Sequence, residues 1–173
     1  MKEASRPSRS FERLTREDLV RLARIARLDR EDLFARKPTY RALEERLICV
    51  ALCQGAALHF VDGKNGVKDF DVWTFYAEHP QGPDYPWRRR KAVDFGSPKF
   101  GPFPDKPGFT GRHGDLLGRS PEVAEDADPA VVLCDYLSQG RTETVRRLAE
   151  KAVVLLEPSD GLGDVIWPLG QDG

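Results

Sequence analysis

Val67-Lys68-Asp69-Phe70-Asp71-Val72-Trp73-Thr74-Phe75-Tyr76 mixes acidic with β-branched and aromatic residues at alternating positions, and it reads as a β-strand. Strand side chains alternate faces with a period of two, so Asp69 and Asp71 point one way and Phe70 and Val72 the other. Just upstream, the segment 61–68 contains Asp62, Gly63, Lys64, Asn65 and Gly66, a turn-rich composition. Before it lies the continuous apolar run Leu47-Ile48-Cys49-Val50-Ala51-Leu52, which either prolongs a helix or forms a buried strand. Gly55 closes that run, and Gln54-Gly55-Ala56-Ala57 leads into a short helix expected at 58–61.

Working outward, Thr15 and Asp18 give a capping-box-like start to a helix over about 16–28, where Leu19, Leu22, Ala23, Ile25 and Ala26 recur at helical spacing. A second short helix is expected at 31–36, ended by Pro38, and a third from Thr39 through Leu43 and Glu44. Downstream, 88–91 leads into a strand at 92–95. Residues 98–110 form a loop, since Pro98, Gly101, Pro102, Pro104, Pro107 and Gly108 leave no room for a ladder. A third strand fits 115–118, and 129–137 and 142–154 read as helices. Strands set between helices imply an α/β or α+β domain with a small mixed sheet flanked by N-terminal and C-terminal helices. The expected organisation is a flexible tail over 1–12, one domain over 13–158, and a C-terminal surface segment over 159–173 that docks through Ile166 and Trp167.

At 173 residues, with 40% hydrophobic and 32% charged residues, the chain can bury one core of ordinary size. The net charge of -1 and pI near 6.3 argue against a surface built to hold a long nucleic acid by its charge. No apolar run approaches the roughly 20 residues of a membrane-spanning helix. The polar first ten residues lack the apolar stretch of a secretory signal, so a cytoplasmic setting is expected. Cys49, Cys53 and Cys134, odd in number and in apolar surroundings, read as buried small side chains rather than as a disulfide framework.

Asp69 and Asp71, about 6 to 7 Å apart on one strand face, repel unless a cation neutralises them. Magnesium, a hard cation that prefers carboxylate and phosphate oxygen, suits such a pair. The helix start after Gly55 adds backbone N–H groups and a positive dipole end for a phosphate. As a plain alternative, the two acids are solvated residues of an edge strand and Gly55 is an ordinary turn.

Taken together, Gly55-Ala56 followed after about a dozen residues by Asp69-Phe70-Asp71-Val72 resembles the signature of the polymerase-β-like nucleotidyltransferase superfamily, in particular its small bacterial members. Members carry a third carboxylate on a later strand, often within Gly-Arg-x-Val-Asp-Leu, which Gly111-Arg112-His113-Gly114-Asp115-Leu116 resembles. The resemblance implies that Asp69, Asp71 and Asp115 hold magnesium or manganese, and that Gly55 and Ala56 cradle a nucleoside triphosphate such as ATP; beside it, Lys68, Lys99, Arg112 and Arg119 are basic groups near the acids suited to bind the triphosphate. It implies in-line attack of a hydroxyl on the α-phosphate, with Asp115 accepting the proton. Asp94, in Lys91-Ala92-Val93-Asp94-Phe95, is a rival third ligand, although the residues around Asp115 fit the pattern better. Ala56 departs from the Ser or Gly usual at its position, and Gly114 replaces an apolar strand residue.

Arg88-Arg89-Arg90-Lys91 follows Tyr85-Pro86-Trp87, a composition suited to an RNA or protein acceptor or, more plainly, to a solvated strand entry. His59, His113 and Arg119 are further polar groups near the motifs. The function implied is nucleotidyl transfer to an RNA end, a protein or a small molecule. Two alternatives stand beside it: a non-catalytic interaction or ligand-sensing module of the same fold, and a nuclease or phosphohydrolase, for which no Asp/Glu-x-Lys partner is present on the strand. The sequence does not fix the oligomeric state.

Overall fold

A computed structural model describes residues 12–81, 89–96, 99–100, 106–123 and 127–168. Helix α1 spans Arg16–Arg36. Its N-cap is a reciprocal box in which the Asp18 amide donates to Thr15 Oγ1 at 3.2 Å and the Thr15 amide donates to Asp18 Oδ2 at 2.8 Å. Helix 16–28 and the short helix 31–36 expected from the sequence are one element. Its buried stripe runs on through Leu19, Leu22, Ala26, Leu33 and Phe34, and nothing between 28 and 31 breaks it. A 3-10 helix at Pro38–Arg46 follows.

The ambiguous apolar run is a strand, β1 (Leu47–Cys53), which enters α2 (Gln54–Asp62) without a loop. Strand β2 is Phe70–Tyr76, β3 is Arg89–Val93 and β4 is Arg112–Arg119. Then come α3 (Pro129–Ser138), α4 (Glu143–Ala149), β5 (Ala152–Glu157), a 3-10 turn at Ser159–Gly161 and β6 (Val165–Trp167). The six strands form one mixed sheet in the order β3-β4-β2-β1-β5-β6, in which β2 and β4 are parallel and the other neighbours antiparallel. The fold is therefore mixed α/β with helices at both ends of the sequence, as expected.

Alternation along the strands divides the core in two. Val50, Leu52, Phe70, Val72, Leu116, Val154 and Leu156 pack with Leu19, Leu22 and Ala26 of α1. On the other face Cys49, Cys53, Trp73, Phe75, Val153 and Leu155 pack with Leu133 and Leu137 of α3 and Leu148 of α4. The second half of the helix expected at 142–154 is the strand β5, buried at every position from Ala152 to Leu156. A run apolar on both faces is what an inner strand requires, and β1 and β6 flank it. The segment after Pro158 also does more than cover the surface: Val165–Trp167 pairs with β5, Ile166 is buried, and Trp167 Nε1 donates to the Ala149 carbonyl at 2.8 Å. The strand expected at 92–95 begins earlier, at Arg89, and ends at Val93.

Candidate functional site

The site is built at the β1–α2 junction. Gln54 takes φ 61°, in the left-handed region that non-glycine residues seldom occupy. It is held there by a bridge to Ala152 and by its side-chain amide, which donates to the Arg147 carbonyl at 3.1 Å. This sharp turn sets Gly55 and Ala56 in the first turn of α2, whose N-cap Cys53 offers no side-chain acceptor to the helix. The orphan N–H groups of that turn and the positive end of the helix suit an anion. A Cβ placed on Gly55 would lie 3.9 Å from Lys151 Nζ, so an ammonium stands beside the glycine.

Asp71 lies on β2 with Cys53 of β1 and Asp115 of β4 as its Cα partners on either side. Asp69 precedes the strand and is half-buried. Gly55, Ala56, Lys68, Asp69 and Asp71 all line one cavity of about 800 Å³. Its wall continues through Trp73, Leu117 and Leu148, and Arg119, Arg147 and Lys151 add positive charge. The Arg119 guanidinium stands 5.4 Å from the centre of the Trp73 ring and donates to Thr144 Oγ1 at 3.1 Å. Burial raises the Tyr136 phenol above its ordinary value, against the opposing pull of Arg119 beside it. Burial, followed by the charge of Asp71, pushes the Cys53 thiol well up, which keeps it protonated and disfavours a role as nucleophile.

The remaining residues singled out from the sequence lie elsewhere. Asp115 is buried beside Asp71 and is bound by Arg90, whose Nε is 3.0 Å from its Oδ1, so it is badly placed to take a proton from a hydroxyl in the cavity. Arg112 is on the opposite face of the sheet, where its Nε donates to the Val67 carbonyl at 3.1 Å and its Nη1 to the Gly111 carbonyl at 2.9 Å. Burial lowers its pKa, and its work is to hold the chain before β2 rather than a phosphate. Lys99 pairs with Asp18 of α1 at 2.6 Å, also away from the cavity. Asp94 is exposed past the end of β3, accepting from the Gly96 amide at 2.8 Å as in a local turn, and it does not line the cavity. His59 is fully buried, its Nδ1 against the Asn65 carbonyl and its Nε2 accepting from the Leu14 amide at 3.3 Å, a structural task. In the basic run, Arg89 and Lys91 reach Asp29 of α1 at 3.3 and 2.9 Å, and Arg88 lies outside the described residues.

Arg147 and Lys151 were not visible as site residues in the sequence. A helix continued to 154 gives them no relation to Gly55, whereas ending α4 at Ala149 turns Lys151 back toward α2. The signal was the β-branched pair Val153-Val154, which favours a strand.

Asp69 and Asp71 are hard oxygen donors at the polar side of the cavity, a donor type suited to magnesium or manganese. Among the described residues no three His, Cys, Asp or Glu side chains gather closely enough to hold a metal ion. Asp69 and Asp71 line the cavity together, whereas Asp115 is matched by Arg90. Among the described residues no helix is long and apolar enough to cross a membrane. Comparison of the chain with protein families, curated proteins and solved structures gave no match.

Proposed function

We propose that this protein is a metal-dependent nucleotidyltransferase that moves a nucleoside monophosphate from a nucleoside triphosphate to a hydroxyl acceptor. The observation that supports this most is the meeting, in one cavity, of the Gly55-Ala56 helix start with Asp69 and Asp71. A triphosphate would lie with its oxygens toward the α2 N-terminus, where Lys151, Lys68 and Arg147 add charge that the helix dipole alone does not supply. The nucleoside would rest toward Trp73, Leu117 and Leu148, an apolar wall that orients it and excludes water. Asp69 and Asp71 would hold magnesium or manganese, which when bound stabilises charge on the phosphoryl oxygens. These groups act by position and charge, and among the described residues no side chain at the cavity is set up as a covalent nucleophile.

A small-molecule acceptor suits the site better than RNA docked on the basic run, because Arg89 and Lys91 are committed to Asp29. A reducing, cytoplasmic setting agrees with three cysteines that form no disulfide. The alternative, a ligand-sensing module without catalysis, is favoured by one observation: the acid in the third position is already neutralised by Arg90.

Thermal melting with each ribonucleoside triphosphate, with and without magnesium or manganese, tests binding, since a ligand at 100 times its dissociation constant adds about 2.7 kcal/mol. A metal-dependent shift is expected. Its absence with every nucleotide would remove the transferase reading. Turnover, followed by pyrophosphate release, then separates the enzyme from the module.

A further inference from the structure

We propose that Arg90 is a built-in cation of this site, standing at Asp115 where a second metal ion would otherwise be needed. The inference rests on the metal-site reading above. Arg90, Asp115 and Asp71 form a row across β3, β4 and β2, because Asp115 is the Cα partner of both Arg90 and Asp71. Cα partners project to the same face, so one guanidinium and two carboxylates share one side of the sheet.

The Asp115 side chain is 2% exposed and that of Arg90 54%. A buried carboxylate is costly unless a charge and hydrogen bonds meet it, and a carboxylate beside another repels it as well. A divalent ion bridging Asp71 and Asp115 would answer both demands. Arg90 answers them without metal, from the edge strand β3, with a guanidinium that stays charged at every working pH. The fold is thereby independent of metal, and metal binding falls to Asp69 and Asp71, which line the cavity.

Two consequences follow for the chain. It takes up one divalent ion, not two. Asp115 holds Arg90 in place and contributes nothing directly to metal affinity, which separates it from Asp71 although the two are neighbours.

Manganese titration followed by electron paramagnetic resonance, on the full chain without nucleotide, gives stoichiometry and affinity for wild type, Asp71→Asn, Asp115→Asn, Arg90→Met and the Arg90→Met/Asp115→Asn double variant. The expected results are one manganese per wild-type chain, an unchanged affinity in Asp115→Asn, loss in Asp71→Asn, and in Arg90→Met either a second manganese or an affinity raised about tenfold. The double variant should return to one. Loss of manganese in Asp115→Asn, matching Asp71→Asn, would overturn the proposal and leave the metal site standing. Unchanged binding in Arg90→Met would do the same, and should that variant fail to fold, Asp115→Asn decides alone. If wild type and all variants bind no manganese, both the proposal and the metal site fall.

Discussion

Asp71 and Asp115 are Cα partners on parallel neighbouring strands, yet Asp71 lines the cavity while Asp115 is buried against Arg90. Adjacent acids on one sheet face therefore have different surroundings, set by what lies across the next strand. The distinction is invisible in a motif that counts carboxylates. It appears once β3 is placed at the sheet edge with Arg90 in register.

At Gly111, just before β4, the chain passes close against the end of β3. A Cβ there would meet the Val93 carbonyl oxygen at 1.9 Å and the Asp94 Cα at 2.7 Å, both backbone atoms that cannot rotate away. Gly111→Ala is expected to cost about 3 kcal/mol or more, at the upper end of overpacking effects. Urea unfolding measures it, and a loss below the error of the method would show that β3 is not held against Gly111.

Lys151 and Lys99 should separate binding from stability. Lys151 is exposed beside Gly55, so Lys151→Met should weaken triphosphate binding roughly tenfold, the value of one charge-assisted contact, with no change in melting temperature. Lys99→Met removes the charged partner of buried Asp18, leaving only its Thr15 cap bonds among the described residues, and should lower stability by about 2 kcal/mol while leaving nucleotide affinity unchanged. Titration calorimetry and urea unfolding on both variants distinguish the two roles, and the reverse pattern would misplace the phosphate end of the site.

Alkali should destabilise the fold through its buried thiols. Burial pushes Cys49 from an ordinary 9.0 up to about 12, and Cys53 shifts the same way. The folded state then holds these protons more tightly than the unfolded chain. The associated stability is complete below pH 9.0 and is lost as pH rises toward about 12. In Cys49→Ala the alkaline unfolding midpoint, followed by circular dichroism at fixed urea, should move to higher pH; an unmoved midpoint would mean that other groups govern alkaline unfolding.

Elements with a one-sided period were legible in the sequence. The α1 start announced itself through Thr15 and Asp18, whereas β2, buried on both faces apart from Asp71, announced itself through its β-branched and aromatic residues. Both faces of β5 are apolar, yet Ala152 also continues the helical spacing of Val145, Leu148 and Ala149, so the β-branched pair Val153-Val154 and the sheet partners together mark it as a strand. The same limit governed the site. Gly55, Ala56, Lys68, Asp69 and Asp71 are close in sequence and share the cavity, whereas the placement of Lys99, Arg112 and Lys151 depends on long-range packing that local spacing does not encode.

The most direct measurement is calorimetric titration of a nucleoside triphosphate with manganese into wild type and Asp71→Asn, with the melting temperature of each protein taken alongside. Wild type should bind, and Asp71→Asn should lose at least about tenfold in affinity while remaining folded. Equal affinity in the two proteins would contradict the assignment of Asp71, and with it the nucleotidyltransferase site.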